Sequence, residues 1–173
     1  MDKRKPTILG VDVSSRGITD LALKKVAKHI GIKNLDGIVM KEEFMVLPYP
    51  KKKVIVNLGD NGIGTHWVLI YRKPGVGSDY IYYFDSYGLG MPDAFRSRFD
   101  DDYVIESMST IQSYDSLLCG LYCIYFIKEM DKGRKMREIL LDFGNRKEEL
   151  QSNDSLLIKY FADLGCRLSP TLL

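Results

Sequence analysis

Cys119, Gln112, His66 and Asp85 are the residues of this chain whose types and spacing suit acyl-transfer chemistry. Cys119 stands where a loop meets an apolar run. Asp115 and Ser116 are loop and cap formers, and Leu121, Tyr122, Ile124, Tyr125, Phe126 and Ile127 follow before charge returns at Lys128, Glu129 and Asp131. An apolar run of that length predicts a core helix, with Cys119 at or near its first turn. Unpaired N–H groups and the macrodipole make such a position electropositive, and a thiol placed there is more acidic and more nucleophilic. Gly120 keeps the backbone beside it open to an approaching substrate. Gln112, seven residues before Cys119, can aim an amide N–H at the negative charge that develops during acyl transfer. A cysteine in an apolar run is more often a buried structural residue. A base and an orienting carboxylate elsewhere in the chain reverse that balance.

The elements that would supply them are strands. Lys53-Val54-Ile55-Val56-Asn57-Leu58 reads as one strand, His66-Trp67-Val68-Leu69-Ile70-Tyr71 as a second and Tyr80-Ile81-Tyr82-Tyr83-Phe84-Asp85 as a third. The second and third form an antiparallel pair across a Pro/Gly turn at residues 72–78. His66 then begins one strand and Asp85 ends its partner, so the hairpin brings the two together. A carboxylate against one imidazole nitrogen fixes the tautomer and leaves the other nitrogen free as a base. Taken singly, Asp85 could instead cap the Ser86-Tyr87-Gly88 turn, and His66 could be an ordinary edge-strand histidine.

Around this centre the chain reads as a single domain over residues 1–173, with residues 1–16 an extended N-terminal segment. Thr19 caps a helix carrying Leu23, Val26, Ala27 and Ile30 at helical spacing, which Gly31 can end. His29, in its last turn, reads as a surface histidine. Residues 32–50, punctuated by Asn34, Gly37, Pro48 and Pro50, read as an irregular connector with a short helical turn near residues 40–44. Val104-Ile105 suggests a fourth strand, and residues 134–141 and 154–164 suggest helices. Hydrophobic residues make up 45% and net charge is +2, which gives no global case for nucleic-acid binding. The clusters Lys3-Arg4-Lys5, Lys51-Lys52-Lys53 and Lys132-Gly133-Arg134-Lys135 read as solvated faces. No stretch is long and apolar enough for a membrane span, and no signal peptide is visible. Three cysteines argue against a disulfide framework and for a reducing compartment. Cys119 and Cys123 fit no common zinc spacing, so no metal is expected.

Gly64-Thr65-His66-Trp67, Tyr83-Phe84-Asp85-Ser86-Tyr87-Gly88 and the stretch from Gln112 to Cys119-Gly120-Leu121-Tyr122-Cys123 resemble the adenain and SUMO-protease superfamily of cysteine peptidases, in the order His, Asp, Gln, Cys. The Gln112-to-Cys119 step resembles the adenovirus-type spacing. Asp36-Gly37-Ile38-Val39-Met40-Lys41-Glu42-Glu43-Phe44 is similar to a segment of capsid-maturation proteases of virophages and polinton-like DNA viruses. The resemblance spans roughly residues 35–130. It implies an α+β, papain-like (adenain-like) fold: a central, mainly antiparallel sheet flanked by helices, with the nucleophile at the N-terminus of a central helix. It implies Cys119 as nucleophile, His66 as general base and then acid, and Asp85 as orienter. Gln112 and the Cys119 N–H would form the oxyanion hole, and Gly64, Trp67 and Gly120 would lie on the substrate side. Leu117-Leu118 before Cys119, and Tyr114-Asp115 in place of a Pro-Asn, depart from the family pattern.

The activity so implied is a viral maturation cysteine endopeptidase. It would cut capsid and other virion precursor proteins after small residues such as Gly, as a monomer, in the virion and the host cytoplasm. No cofactor is required, although DNA bound at Lys51-Lys52-Lys53 or residues 132–135 could act as an activator. One alternative is a SUMO or ubiquitin-like-protein deconjugase using the same four residues. Another is a non-catalytic scaffold of the same fold, which would have no chemical need for all four together.

Overall fold

The structure is a computed structural model that describes residues 8–14, 16–49, 52–59 and 66–169. Its elements run β1 (Leu9–Val11), β2 (Val13–Ser14), β3 (Gly17–Ile18), α1 (Asp20–His29), β4 (Leu35–Met40), α2 (Lys41–Val46), β5 (Lys53–Asn57), β6 (Trp67–Lys73), β7 (Tyr80–Phe84), α3 (Asp93–Arg96), β8 (Tyr103–Glu106), α4 (Cys119–Asp131), α5 (Met136–Leu140), α6 (Leu150–Asp163) and β9 (Cys166–Leu168). The five strands β4-β5-β6-β7-β8 form the central sheet in that order.

This sheet is buried on both faces, and alternation along its strands decides which side chain goes where. Ile55, Trp67, Leu69 and Phe84 face the larger core, shared with Leu23 and Val26 of α1, Phe126 of α4 and Phe161 of α6. Val54, Val56, Val68, Ile70, Ile81 and Tyr83 face the other way, onto Phe44 of α2, Phe95 of α3 and Phe99. Every residue of β5 is buried, as befits a strand covered on both sides. α4 carries buried residues at every position from Cys119 to Ile127, so it is the hub of the larger core rather than an amphipathic surface helix.

The mixed α+β architecture matches expectation, but the sheet is mixed rather than mainly antiparallel. β5–β6 and β6–β7 are antiparallel, whereas β4–β5 and β7–β8 are parallel. A parallel neighbour needs a crossover. α2 carries the first and α3 the second, on the same face of the sheet. The irregular connector expected over residues 32–50 is thus replaced by β4 and α2. Asp36 and Gly37 hid the strand because they accompany an irregularity in it: the register shifts between Leu35 and Gly37. Asp36 Oδ2 there accepts the Lys52 and Lys53 backbone N–H groups at 2.7 and 2.9 Å. Residues 1–7 and 15 of the expected extended segment lie outside the described residues; from Leu9 on the chain is paired, β1 running parallel to β9 and β2 and β3 forming a short antiparallel ladder.

α1 forms as its sequence suggests. Thr19 Oγ1 accepts the Ala22 N–H at 3.1 Å, and Leu23, Val26 and Ala27 are buried. Gly31, at φ +78°, turns the chain away after it. The remaining expected strands and helices are present with ends shifted by a few residues, α6 beginning at Leu150 rather than 154.

Candidate active site

Cys119 is the first residue of α4 and is 4% exposed. The apolar run behind it drives the helix into the core, and Tyr122 N–H bonds back to Leu118 O at 3.0 Å to close the first turn. Trp67 N–H approaches the Cys119 sulfur at 3.4 Å, which ties the start of α4 to the start of β6. No disulfide joins the three cysteines. Cys123, one turn further on, hydrogen-bonds Trp67 O at 3.5 Å, and burial pushes its thiol well above the ordinary range. Burial raises Cys166 as well. Among the three, only Cys119 has an imidazole beside it.

That imidazole is His66, immediately before β6. The register pairs Leu69 with Phe84, so the chain entering β6 passes the chain leaving β7. His66 Nε2 meets Asp85 Oδ1 at 2.8 Å. With Nε2 committed, the ring's second nitrogen is the one available to the Cys119 sulfur, which the next residue's N–H, that of Trp67, approaches. Burial favours the neutral ring, but the hydrogen bonds to Asp85 and Cys119 and their negative charge outweigh it, raising the His66 pKa from 6.5 to about 9. The pairing thus favours the protonated ring near neutral pH.

Asp85 is 1% exposed and held from several sides. Its Oδ1 also accepts the Tyr87 N–H at 2.8 Å, so the capping role and the histidine contact coexist in one oxygen. Its backbone N–H donates to Ser107 Oγ at 2.9 Å, and that hydroxyl donates to Asp85 O at 3.1 Å. The Tyr87 ring stacks on His66 with centroids 5.0 Å apart, and Tyr114 stacks on Tyr87 at 6.1 Å. Gly88 closes the turn: its N–H reaches Asp85 O at 2.9 Å and its φ is +66°. A Cβ there would lie 2.8–2.9 Å from backbone atoms of Met108 and Ser109. Gly88→Ala is therefore expected to lower stability by about 1–3 kcal/mol from the left-handed backbone alone, and by more through the collision, read as a fall in the thermal midpoint.

Gln112 is fully buried. The loop after β8 places it, because the Ile111 and Gln112 N–H groups both donate to Ser86 O, at 2.9 and 3.3 Å. Ser86 Oγ donates to Gln112 Oε1 at 2.6 Å, while Gln112 Nε2 donates to Ser116 O at 2.8 Å. These two contacts set the orientation of the amide, with Nε2 on the Ser116 side. Ser86, Ser107 and Ser116 were not singled out from sequence as site residues. Serines at loop positions carry no pattern that separates a support from a turn former.

Trp67 is 3% exposed, and its indole Nε1–H donates to Ile18 O at 2.8 Å. It belongs to the core and borders a cavity of about 460 Å³ whose lining includes Gly17, Ile18, Val39, Met40 and Asn57. Gly120 is buried, and its missing side chain admits α1 rather than a ligand. A Cβ there would lie 2.7–2.8 Å from the Leu23 methyls and 3.1 Å from Trp67 Cδ1. Gly120→Ala is expected to cost about 1–3 kcal/mol by overpacking, and less in a Leu23→Val background, as read by denaturant unfolding. Gly64 lies outside the described residues, as do Lys51 and the Lys3-Arg4-Lys5 cluster. Of the other basic residues, Lys53 is buried against Asp131 at 2.6 Å, and Lys132 and Arg134 bind Glu129 at 2.6 and 3.1 Å. A DNA activator using these three side chains would have to displace those carboxylates.

A thiol, an imidazolium and a buried carboxylate in line, with a side-chain amide nearby, form an arrangement suited to nucleophilic acyl transfer. The fold around them is also that of a solved protease. That protein is the ASFV pS273R protease, one crystal structure of which matches with a TM-score of 0.58 at 14% identity, over 92% of this chain and 72% of that one. Its Se-Met crystal structure matches with a TM-score of 0.49 at 18% identity, over 67% of this chain and 45% of that one. At these identities the likeness is one of fold. No protein-family model matches the sequence, and no curated protein matches it.

Proposed function

We propose that the chain is a viral cysteine endopeptidase that processes virion precursor proteins, acting in the virion and the host cytoplasm. One observation carries the reading: His66 bridges Asp85, at 2.8 Å, and the Cys119 sulfur at the start of α4. The protease fold of the ASFV neighbour supports it. So does the sequence resemblance to capsid-maturation enzymes.

In this reading Cys119 Sγ attacks the scissile carbonyl carbon. The resulting oxyanion is received by the Cys119 N–H and by Gln112 Nε2. The intermediate collapses to a thioester as the His66 imidazolium gives its proton to the departing amine. The neutral ring then takes a proton from water, whose oxygen attacks the thioester, releasing the acid and leaving the Cys119 thiolate beside the protonated ring. Asp85 holds the ring throughout. The preference for Gly or Ala on the acyl side of the cut follows from the sequence resemblance to capsid-maturation enzymes.

The test is co-expression of wild type and Cys119→Ala with a panel of capsid precursors and of SUMO and ubiquitin fusions. Cleavage of a precursor by wild type alone, next to a small residue, is the expected result. Cleavage restricted to the modifier fusions would make the chain a deconjugase. No Cys119-dependent cleavage of any panel member would overturn the enzyme reading.

A further inference from the structure

We propose that Asp154 is a positioning residue for this chemistry, acting through the 113–116 turn on the Gln112 amide. The proposal rests on the cysteine-protease reading above and adds to it a support from α6, the helix furthest in sequence from His66.

The stretch between β8 and α4 is loop, yet it must hold Gln112 to a fraction of an ångström for an oxyanion contact. Adjacent residues of α6 grip it at two places. Asn153, 4% exposed, donates through Nδ2 to Ile111 O at 2.9 Å and to Gly144 O at 2.6 Å, while its Oδ1 accepts the Gly144 N–H at 2.9 Å. That fixes the residue before Gln112. Asp154 faces the turn itself: it lines one cavity with Ser113 and Ser116, and the Ser116 hydroxyl and the Ser113 N–H both favour its charged form. It also accepts Tyr122 Oη–H from α4 at 2.7 Å.

Ser116 is where this grip meets the amide. Its carbonyl receives Gln112 Nε2 at 2.8 Å, and its Oγ lies 3.4 Å from the same nitrogen. The same Oγ accepts the Leu118 N–H at 3.3 Å, one residue before Cys119. Donating its own proton to Asp154 leaves the hydroxyl's lone pairs facing those two N–H groups. A carboxylate suits this post because Tyr122, Ser116 and Ser113 each present it a donor. An asparagine of the same shape would turn an NH2 toward at least one of them. Asp154 shares a cavity of about 350 Å³ with the turn, its walls including Ser113, Ser116, Leu117 and Ile158. Burial raises the Asp154 pKa to about 6, so its grip weakens as pH falls through that value. Asp115 is the other charged group that acts on it, and Tyr122 and Tyr87 present the titratable hydroxyls nearby.

The experiment measures peptide turnover and iodoacetamide alkylation of Cys119 side by side. Alkylation needs the thiolate but no oxyanion hole, so it separates the amide from the Cys119–His66 pair. In Asp154→Asn, kcat is expected to fall about tenfold with KM within about twofold and alkylation unchanged. The acid limb of kcat near pH 6 should disappear. With Gln112→Ala already in place, Asp154→Asn should cost less than about twofold, since it acts through the missing amide. Ser116→Ala removes the same link without touching α6, and decides the matter in the same way where Asp154→Asn fails to fold. Wild-type kcat in a folded variant, additivity with Gln112→Ala, or an equal loss of alkylation would overturn the proposal. Wild type that alkylates rapidly at Cys119 but turns over no substrate would sink the protease reading, and this proposal with it.

Discussion

His66→Ala is expected to reduce kcat/KM by about ten-thousand-fold, with Cys119→Ala at least as severe. In the proposed mechanism the ring performs two tasks that no neighbour can take over. As an imidazolium it would neutralise the sulfur, and as an acid it would protonate the leaving amine. Both require the proton that Asp85 and Cys119 hold on the ring up to about pH 9. The alkaline limb of kcat/KM should therefore lie near pH 9, well above the position an isolated histidine would give. Asp85→Asn removes the carboxylate hydrogen bond and its charge, both of which raise that pKa. The limb should move downward, and the rate should drop by about a hundredfold or more as the ring loses its orientation. The stability effect has a defined sign. A histidine whose folded pKa lies above its unfolded value contributes stability that is fully present below about pH 6.5. That contribution is lost as pH rises through about 9. Thermal midpoints of wild type and His66→Ala should therefore converge on going from pH 6 to pH 10. A gap that stayed constant would mean that the ring is not held charged.

The approach of His66 to Asp85 was legible because it is a local consequence of one hairpin. Two strands of alternating apolar residues and a Pro/Gly turn set which ends meet, and nineteen positions separate the partners. The start of α4 was legible for a similar reason, since an uninterrupted apolar run after a loop has few other readings. β4 was not. Its Asp36 and Gly37 have the composition of a turn, and what makes them strand is a partner, β5, that lies across a crossover. The parallel pairing of β8 with β7 is hidden in the same way, because a parallel register depends on how α3 packs and not on the strand's own pattern. The supports of the site were the least visible part. Ser86 reaches Gln112 across 26 positions and Tyr122 reaches Asp154 across 32, and nothing in a lone serine or a helical aspartate announces such a contact.

Gln112→Ala is the second large effect, and it separates chemistry from binding. Loss of one oxyanion donor is expected to lower kcat about a hundredfold to a thousandfold with little change in KM, because the contact forms only as the carbonyl oxygen becomes charged. Cys119 alkylation should stay at the wild-type rate, since the thiol keeps His66. The amide is fully buried and pinned at both atoms, by Ser86 at Oε1 and by the Ser116 carbonyl at Nε2. Nε2 carries two hydrogens, and with one of them shared between Ser116 O and Oγ the other remains for the oxyanion. Gln112→Glu keeps the volume but removes both hydrogens. It would set a carboxylate oxygen against the Ser116 carbonyl and point negative charge at the developing oxyanion. It should therefore be slower than Gln112→Ala, although it is the smaller change in shape. Ser86→Ala tests the orientation alone: with its Oε1 anchor gone the amide can rotate, and a loss of about tenfold in kcat is expected. The order wild type, Ser86→Ala, Gln112→Ala, Gln112→Glu in falling kcat, at constant alkylation rate, is the pattern an oxyanion hole produces. A scaffold that merely retains a buried glutamine would show these substitutions in its unfolding midpoint and nowhere else.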